Sequence, residues 1–244
     1  MNYKWNWGIF WEQSPDASGT YLQTLFYGLG WTLATAMIAW VIALAVGSVI
    51  GTIRTTQIKW AVRLGNGYVE VFRNVPLLVQ VFLWYFVFPE LLPKDLGLWV
   101  KQLPDASFWT TVVALAFYTS ARVPEQVRAG IQSLPRGQLD AGTALGLTLP
   151  QTYRYVLLPM AYRIIIPPLT SETMNLIKNT AVAYSIGLTE MFFRTREMGE
   201  MTFRYFEAFA AATLVYVTIA MTANRVMAWV ERRVAVPGYI SGSK

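Results

Sequence analysis

The stretch LTSETMNLIKNTAVAY, at residues 169–184, carries two opposite charges in a largely apolar setting, Glu172 and Lys178. On an α-helix with 100° per residue, these side chains fall within about 120° together with Asn175 and Asn179. A charge at the centre of a membrane helix costs about 2.5 to 3.5 kcal/mol on insertion scales. The polar face is therefore expected to turn away from lipid, toward the protein interior or a water-filled path.

Two interpretations of this polar face stay open. In the first, Glu172 and Lys178 are satisfied by neighbouring helices and have a structural role. In the second, the face lines a route for a solute, and Lys178 offers a cation to carboxylate groups. Arg73 and Arg122, closer to the inner membrane face, are further cationic candidates. Arg73 has its own alternatives, as a determinant of topology or as a partner at a helix end.

The residue types in the chain exclude most catalytic chemistries. It has no Cys and no His, so disulfides, thiol nucleophiles, imidazole bases and the usual zinc sites are excluded. No GxxxxGK[ST] or GxGxxG motif occurs, so the chain is not expected to bind or hydrolyse ATP. A membrane enzyme would have to use Ser, Lys or carboxylates such as Glu172 and Lys178. A passive channel or a scaffold subunit is the other alternative.

The elements that carry these residues are predicted to be membrane helices. Of the 244 residues, 55% are hydrophobic and only 14% are charged, with a mean hydropathy of +0.37. Residues 25–53 contain no charge, and a helix of this length exceeds a hydrocarbon core of about 30 Å. We predict one all-α integral membrane domain, residues 1–244, with five spans at about 24–50, 70–89, 108–130, 162–186 and 207–230.

The charges alternate along the chain in a way that predicts its orientation. Residues 52–73, 122–163 and 225–244 each sum to +3, whereas 1–23, 89–107 and 188–207 each sum to −1. Basic loops stay in the cytoplasm, so the N-terminus is expected outside and the C-terminus inside. Residues 1–23 do not have the pattern of a removable signal peptide. WNWGIFW, near the start, is interpreted as an interfacial aromatic anchor, with a ligand site as the alternative.

A polar segment, residues 135–159, separates the third and fourth predicted spans. A helix is predicted over 136–145, with small residues along one side (Ala141, Gly142 and Ala144). Gly146 is placed to end this helix with a positive φ. Thr148 and Gln151 form a capping-box pattern for a second helix, which Pro159 is expected to redirect. The alternative is a plain cytoplasmic loop that happens to be helical.

The spacing within this segment resembles the EAA loop of ABC-importer permeases. Asp140, Ala141 and Gly142 are followed after three residues by Gly146, and after nine more by Val-Leu-Leu-Pro ending at Pro159. The family pattern has Glu, Ala and Ile where this chain has Asp140, Gly142 and Val156. The resemblance implies that the segment is a coupling helix that docks on a separate ATPase, through Gly137, Asp140, Ala141, Gly142, Gly146 and Pro159.

The resemblance covers most of the chain and narrows the class of transporter. VEVFRNVPLLVQ, YTSARVPEQVRAGIQSLPRGQ, LPMAYRIIIPPLTSETMNLIKNTAV and SIGLTEM resemble the polar amino acid permeases of bacterial importers. WNWGIF, PELLP and VERRV are most similar to the glutamate/aspartate branch, with glutamine, histidine or arginine as alternative substrates. A path for a dicarboxylate would need cations such as Lys178. Pro167 and Pro168 would supply either a bend for alternating access or a static kink.

The resemblance also implies a set of partners. These are a second permease, expected to be a related but different chain, a dimer of cytoplasmic ATPase subunits, and a periplasmic amino-acid-binding protein. ATP and Mg would be bound by the ATPase, with no cofactor or metal on this chain. The expected location is the bacterial inner membrane, in contact with lipid and without nucleic acid.

Overall fold

The computed structural model describes residues 3–15, 19–135 and 137–234, and these are almost entirely helical. Gln13 and Thr20 form an isolated β-bridge. Two short 3₁₀ helices, Trp7–Trp11 and Thr180–Ile186, and two π-turns, Leu83–Val87 and Tyr153–Leu157, accompany the α-helices. The α-helices of the described residues are α1 Tyr21–Ile53, α2 Lys59–Asn74, α3 Leu77–Phe82, α4 Phe88–Leu91, α5 Lys94–Lys101, α6 Ala106–Ser120, α7 Val123–Gln132, α8 Gly137–Ala144, α9 Leu149–Thr152, α10 Leu158–Asn179, α11 Met191–Thr202 and α12 Tyr205–Val234.

Two helices among the described residues are long and apolar enough to cross a membrane, α1 with 33 residues and α12 with 30. They enclose the predicted first and last spans. A third span results if Lys59–Asn74 and Leu77–Leu91 are counted together as one bent span. The helical class is thereby confirmed, whereas the number of five spans stays a prediction.

The residues of the predicted second span, 70–89, belong to more than one helix, and the span itself stays a prediction. Its first residues end α2, and the chain then bends by 102° before Leu77. The cause is local, because Pro76 has no N–H to donate and disfavours the α conformation of the residue before it. Val75 accordingly has φ −85° and ψ 126°.

The predicted third and fourth spans each contain more than one element. The third consists of α6 and α7, with Pro124 in the first turn of α7. The fourth lies in α10, which contains Pro167 and Pro168, and in the 3₁₀ helix that follows.

Pro159 does not redirect the chain, and that prediction is wrong. It is the second residue of α10, and helical structure continues from Leu149 to Ile186. The π-turn Tyr153–Leu157 shifts the hydrogen-bond register immediately before Pro159, where the Leu158 N–H bonds to the Tyr153 carbonyl. A missing N–H is tolerated at such an irregular turn.

The chain forms two compact units. The first comprises Met1–Trp40, Pro76–Ala116 and Asn175–Met221. Its buried cluster contains Ile9, Phe10, Tyr21, Leu25, Met198 and Ala208. The segment WNWGIFW therefore contributes two residues to a core, while Trp5 and Trp11 remain 53% and 71% exposed.

The second unit comprises Val41–Val75, Phe117–Met174 and Thr222–Lys244. Close packing of α1 on α7 holds part of it together. A Cβ on Gly47 would lie 2.5 Å from Val123 Cβ, and one on Gly51 would lie 2.7 Å from Val127 Cβ. The two helices can approach this closely only because both α1 positions lack a side chain.

Candidate functional site

The predicted coupling segment folds as a helical elbow consisting of α8, a turn, α9 and the π-turn Tyr153–Leu157. Arg136, at its start, lies outside the described residues. Gly146 has φ +78°, so the predicted left-handed residue is confirmed. Gln151 Oε1 accepts from the Thr148 N–H at 2.8 Å and from the Thr148 hydroxyl at 2.9 Å. These contacts stiffen the turn between the two helices.

On one side of the elbow, an acidic side chain and several apolar side chains are exposed. We call it the elbow surface and define it as Asp140, Ala141, Ala144, Leu145 and Leu149, all of which are exposed. Leu145 is 81% exposed, the same fraction as Phe203 and more than any other apolar side chain of the elbow. An exposed apolar patch next to a charge is typical of a protein-docking surface.

Gly142 does not belong to that surface, contrary to the prediction that it shares an open side with Ala141 and Ala144. It is buried, and a Cβ there would lie 2.6 Å from Thr152 Cγ2 and 2.8 Å from Thr152 Oγ1. At 100° per residue it points 100° away from Ala141. The glycine that replaces the family's alanine therefore makes room for Thr152.

A cluster that the sequence did not predict surrounds Glu125 in α7. Its carboxylate accepts from Arg54 at 2.9 Å and from Arg128 at 3.0 Å, and Arg73 lies at 3.8 Å. The Arg54 side chain is only 10% exposed. Arg73, in the last turn of α2, thus takes the position of a helix-end partner. Arg54 and Arg73 lie about 70 and 50 positions before Glu125, so no local motif signals the cluster.

Arg122 is held at the start of α7 by the tyrosine one turn earlier. Its guanidinium lies 3.8 Å from the centre of the Tyr118 ring and donates to the Tyr118 hydroxyl at 2.6 Å and carbonyl at 3.2 Å. Glu172, half-buried in α10, interacts electrostatically with Arg122. It makes no hydrogen bond or ion pair with another described side chain. Arg122 and Glu172 are thus one cation and one acid of the predicted polar set that interact with each other in the structure.

The other members of the polar set also lie on α10. This helix is α-helical through Asn179, so the 100° spacing behind the predicted face applies. Asn175 and Lys178 are exposed and Asn179 is half-buried. Lys178 has no ion pair with any residue in the described part of the chain. A partner for Lys178 on a neighbouring helix is therefore not found there, and both interpretations of the polar face stay open.

Glu190 is a second residue that sequence reasoning missed. It lies between the predicted fourth and fifth spans, is 0% exposed and caps the N-terminus of α11. Its carboxylate accepts from the N–H groups of Phe192 at 2.9 Å and Phe193 at 2.8 Å. The hydroxyls of Thr32 and Tyr216 lie at 3.3 and 3.4 Å. Burial raises the pKa of the Glu190 carboxyl to about 7, although these donors oppose the rise.

The described residues contain no group of three or more Asp, Glu, His or Cys that could hold a metal ion. What the geometry offers is an exposed apolar surface beside an acid on an elbow, a cation that interacts with an acid, and a polar helix face.

Comparison with protein families gives a match over residues 43–236 to the model described as binding-protein-dependent transport system inner membrane component. The glutamate/aspartate import permease protein GltJ of Escherichia coli strain K12 is 50% identical, covering 99% of this chain and 100% of GltJ. The arginine transport system permease protein ArtQ of Bacillus subtilis is 32% identical, covering 89% of this chain and 96% of ArtQ.

Two solved structures resemble the fold. A crystal structure of an amino acid ABC transporter with histidines has a TM-score of 0.73 and 31% identity, covering 87% of this chain and 95% of that one. An inward-facing structure of the MetNI methionine ABC transporter has a TM-score of 0.69 and 19% identity, covering 88% of this chain and 96% of that one. At that identity the second likeness concerns the fold alone.

Proposed function

Because this chain belongs to the family of binding-protein-dependent transport system inner membrane components, we propose that it is the permease of an ATP-driven importer for glutamate and aspartate. The assignment of glutamate and aspartate as substrates rests on the 50% identity to GltJ over the full length. Relatives named for other substrates are less similar, such as ArtQ at 32% and the probable glutamine permease GlnM of Bacillus subtilis at 31%. Glutamine, histidine and arginine are therefore the second choice.

The proposed assembly contains a different second permease. In support, GltK of Escherichia coli O6:H1 is also a glutamate/aspartate import permease and is 33% identical to this chain, so relatives of two kinds are named for the same substrates. A periplasmic binding protein would deliver the amino acid. A dimer of cytoplasmic ATPase subunits would bind ATP and Mg, and this chain would bind neither.

The proposed setting is the bacterial inner membrane, with the whole chain as one transporter domain. Five spans with a periplasmic N-terminus would put the elbow in the cytoplasm, in agreement with the basic residues that flank it. Two of these spans, α1 and α12, meet the length and apolarity of a membrane helix. The other three would depend on shorter, bent or charged elements.

In the proposed mechanism, the elbow surface docks in a cleft of the ATPase. Asp140 offers a charge, and Gly137 and Ala141 allow close approach, since a Cβ on Gly137 would meet no atom within 4 Å. The Gly146 turn keeps α8 at a fixed angle to α9. Closure of the ATPase on ATP would displace the elbow, and the helical path from α9 through the π-turn and Pro159 would carry this displacement into α10.

The proposed route for the amino acid includes the polar face of α10. Lys178 and Arg122 would attract the substrate carboxylates, and Glu172, Asn175 and Asn179 would bind its ammonium and polar groups. Arg73 is the weakest candidate, because its contact with Glu125 gives it a role at the end of α2.

Transport by the reconstituted complex tests this function. Vesicles containing both permeases and the ATPase should accumulate labelled glutamate and aspartate only with ATP and the binding protein present. A panel of labelled amino acids would identify the substrate. Accumulation without ATP, or ATP hydrolysis by this chain alone, would contradict the proposal.

A further inference from the structure

Tyr153 ties the elbow to the end of α1 by a contact that spans almost a hundred positions of sequence. It is half-buried and is the first residue of the π-turn. Its hydroxyl donates to the Thr55 carbonyl at 3.0 Å and lies 3.0 Å from the Thr55 hydroxyl. The Thr55 hydroxyl in turn donates to the Thr52 carbonyl at 2.7 Å, inside the last turn of α1.

Both ends of this contact are held by further packing. On the elbow side, the neighbour Thr152 is 1% exposed and fills the space beside Gly142 of α8. On the other side, the neighbour Arg54 forms the 2.9 Å ion pair with Glu125 of α7. A continuous series of contacts therefore leads from α8 to α7, and Tyr153 is the member that joins the elbow to the rest of the unit.

Because Tyr153 lies at a π-turn, its contact with Thr55 can restrain bending of the chain at this turn. A π-turn inside a helix is rare and is often found at functional sites. Here it interrupts the helical path between α9 and α10, so it is the place where a displaced elbow would bend without moving α10. A side-chain bond from this turn to a second helix restrains such bending.

We propose that Tyr153 is a positioning residue for energy coupling, which braces the π-turn against Thr55 so that movement of the elbow reaches α1 and α7 as well as α10. This inference rests on the proposed function, since it needs an ATPase docked on the elbow surface. Without the hydroxyl, the π-turn absorbs part of the movement, and ATP is hydrolysed with fewer amino acids imported.

The test is Tyr153→Phe in the complete complex, reconstituted in vesicles with ATP and the binding protein. Uptake and ATP hydrolysis are measured in the same sample, and the readout is the number of amino acids imported per ATP. We expect this ratio to fall by about fivefold or more, the lower end of typical coupling between sites. A residue that only stabilises the fold would lower both rates together and leave the ratio unchanged.

Tyr155→Phe is the matched control. Tyr155 belongs to the same π-turn, is 62% exposed and lies beneath the Arg154 guanidinium, a contact that phenylalanine keeps. The number of amino acids that the Tyr155→Phe complex imports per ATP should equal that of the unsubstituted complex. An equal fall in both variants would overturn the inference, because the effect would then belong to the turn in general.

Thr55→Val provides a second, independent variant. It removes the Thr55 hydroxyl but keeps the carbonyl that accepts from Tyr153, so the ratio should fall less than in Tyr153→Phe. The double variant should be no worse than Tyr153→Phe alone, because both changes break the same link. If Tyr153→Phe does not assemble, an unchanged ratio in Thr55→Val overturns the inference.

Measurements on the unsubstituted complex distinguish a failure of the proposed function from a failure of the role proposed for Tyr153. If it shows no ATP-dependent uptake, the proposed function fails. If it transports normally and Tyr153→Phe keeps its full ratio, only the role of Tyr153 fails.

Discussion

The side chain of Thr152 occupies the space that a methyl group on Gly142 would need, with Thr152 Cγ2 only 2.6 Å from the position of such a carbon. Gly142→Ala should therefore destabilise the protein by about 1 to 3 kcal/mol, the usual range for an overpacked site. Thermal unfolding in detergent measures this loss. Adding Thr152→Ala should recover most of it, because it removes both atoms that obstruct the methyl group.

Gly67→Ala is the control for this pair, since a Cβ at Gly67 meets no atom within 4 Å and the position is exposed in α2. It should leave the unfolding temperature unchanged or raise it slightly. If the double variant is as unstable as Gly142→Ala alone, contact with Thr152 is not the reason for the glycine.

The left-handed turn at Gly146 should be needed for uptake. Gly146→Val forces a β-branched residue to φ +78°, and a left-handed residue costs roughly 1 to 2 kcal/mol. We expect the turn to reopen and ATP-dependent uptake to fall at least tenfold, while the chain still inserts in the membrane. Gly146→Asn is the comparison, because asparagine visits this conformation and should keep most of the uptake. Normal uptake with valine would count against a rigid elbow.

Loss of the charge at Lys178 should weaken transport of acidic amino acids. A hydrogen bond to a charged group contributes about 1.5 to 3 kcal/mol, so Lys178→Met should lower the ratio of kcat to KM for glutamate uptake by about tenfold or more. Lys178→Arg keeps the charge and should retain part of the rate. Unchanged kinetics in the methionine variant would assign Lys178 a structural role.

Glu190 should make the stability of the protein depend on pH. Burial raises the pKa of its carboxyl to about 7 from an ordinary 4.5, so the folded state holds the proton more tightly than the unfolded chain. Its stabilising effect is then complete below about pH 4.5 and is lost as the pH rises through 7. The unfolding temperature should fall between pH 5 and pH 8, by an amount corresponding to roughly 1.4 kcal/mol per unit of pKa difference.

Glu190→Gln should flatten this part of the profile while keeping an oxygen that accepts from the α11 N–H groups. Glu197→Gln is the comparison, since Glu197 is a partly exposed partner of Arg194 and should leave the slope in place. A slope that persists in Glu190→Gln would show that another group titrates in this range.

Features set by neighbouring residues were predictable from the sequence. The charge-free run at 25–53 predicted α1, and the chemistry of glycine predicted the positive φ of Gly146. The Gln151 side chain likewise caps the backbone at Thr148 as its spacing indicates. Each of these follows from interactions within one helix or one turn.

Features that depend on distant partners were not predictable. From the sequence alone, Gly142 is one of the small residues along one side of a helix. Only the fold shows that Thr152 packs against it. Glu190 is an ordinary acid in the sequence, and its burial follows from the approach of Thr32 and Tyr216. Pro159 was expected to end a helix because the π-turn that accommodates it has no sequence signal of its own.

The Glu125 cluster has a consequence for how the chain acquires its orientation. One carboxylate shared by Arg54, Arg73 and Arg128 leaves an excess of two positive charges after the helix ends have packed together. During synthesis the same arginines would keep this part of the chain on the side where the ribosome works. In the proposed orientation, the arginines that direct insertion of the chain would afterwards also form ion pairs between the helix ends, so replacing them would disturb both insertion and packing.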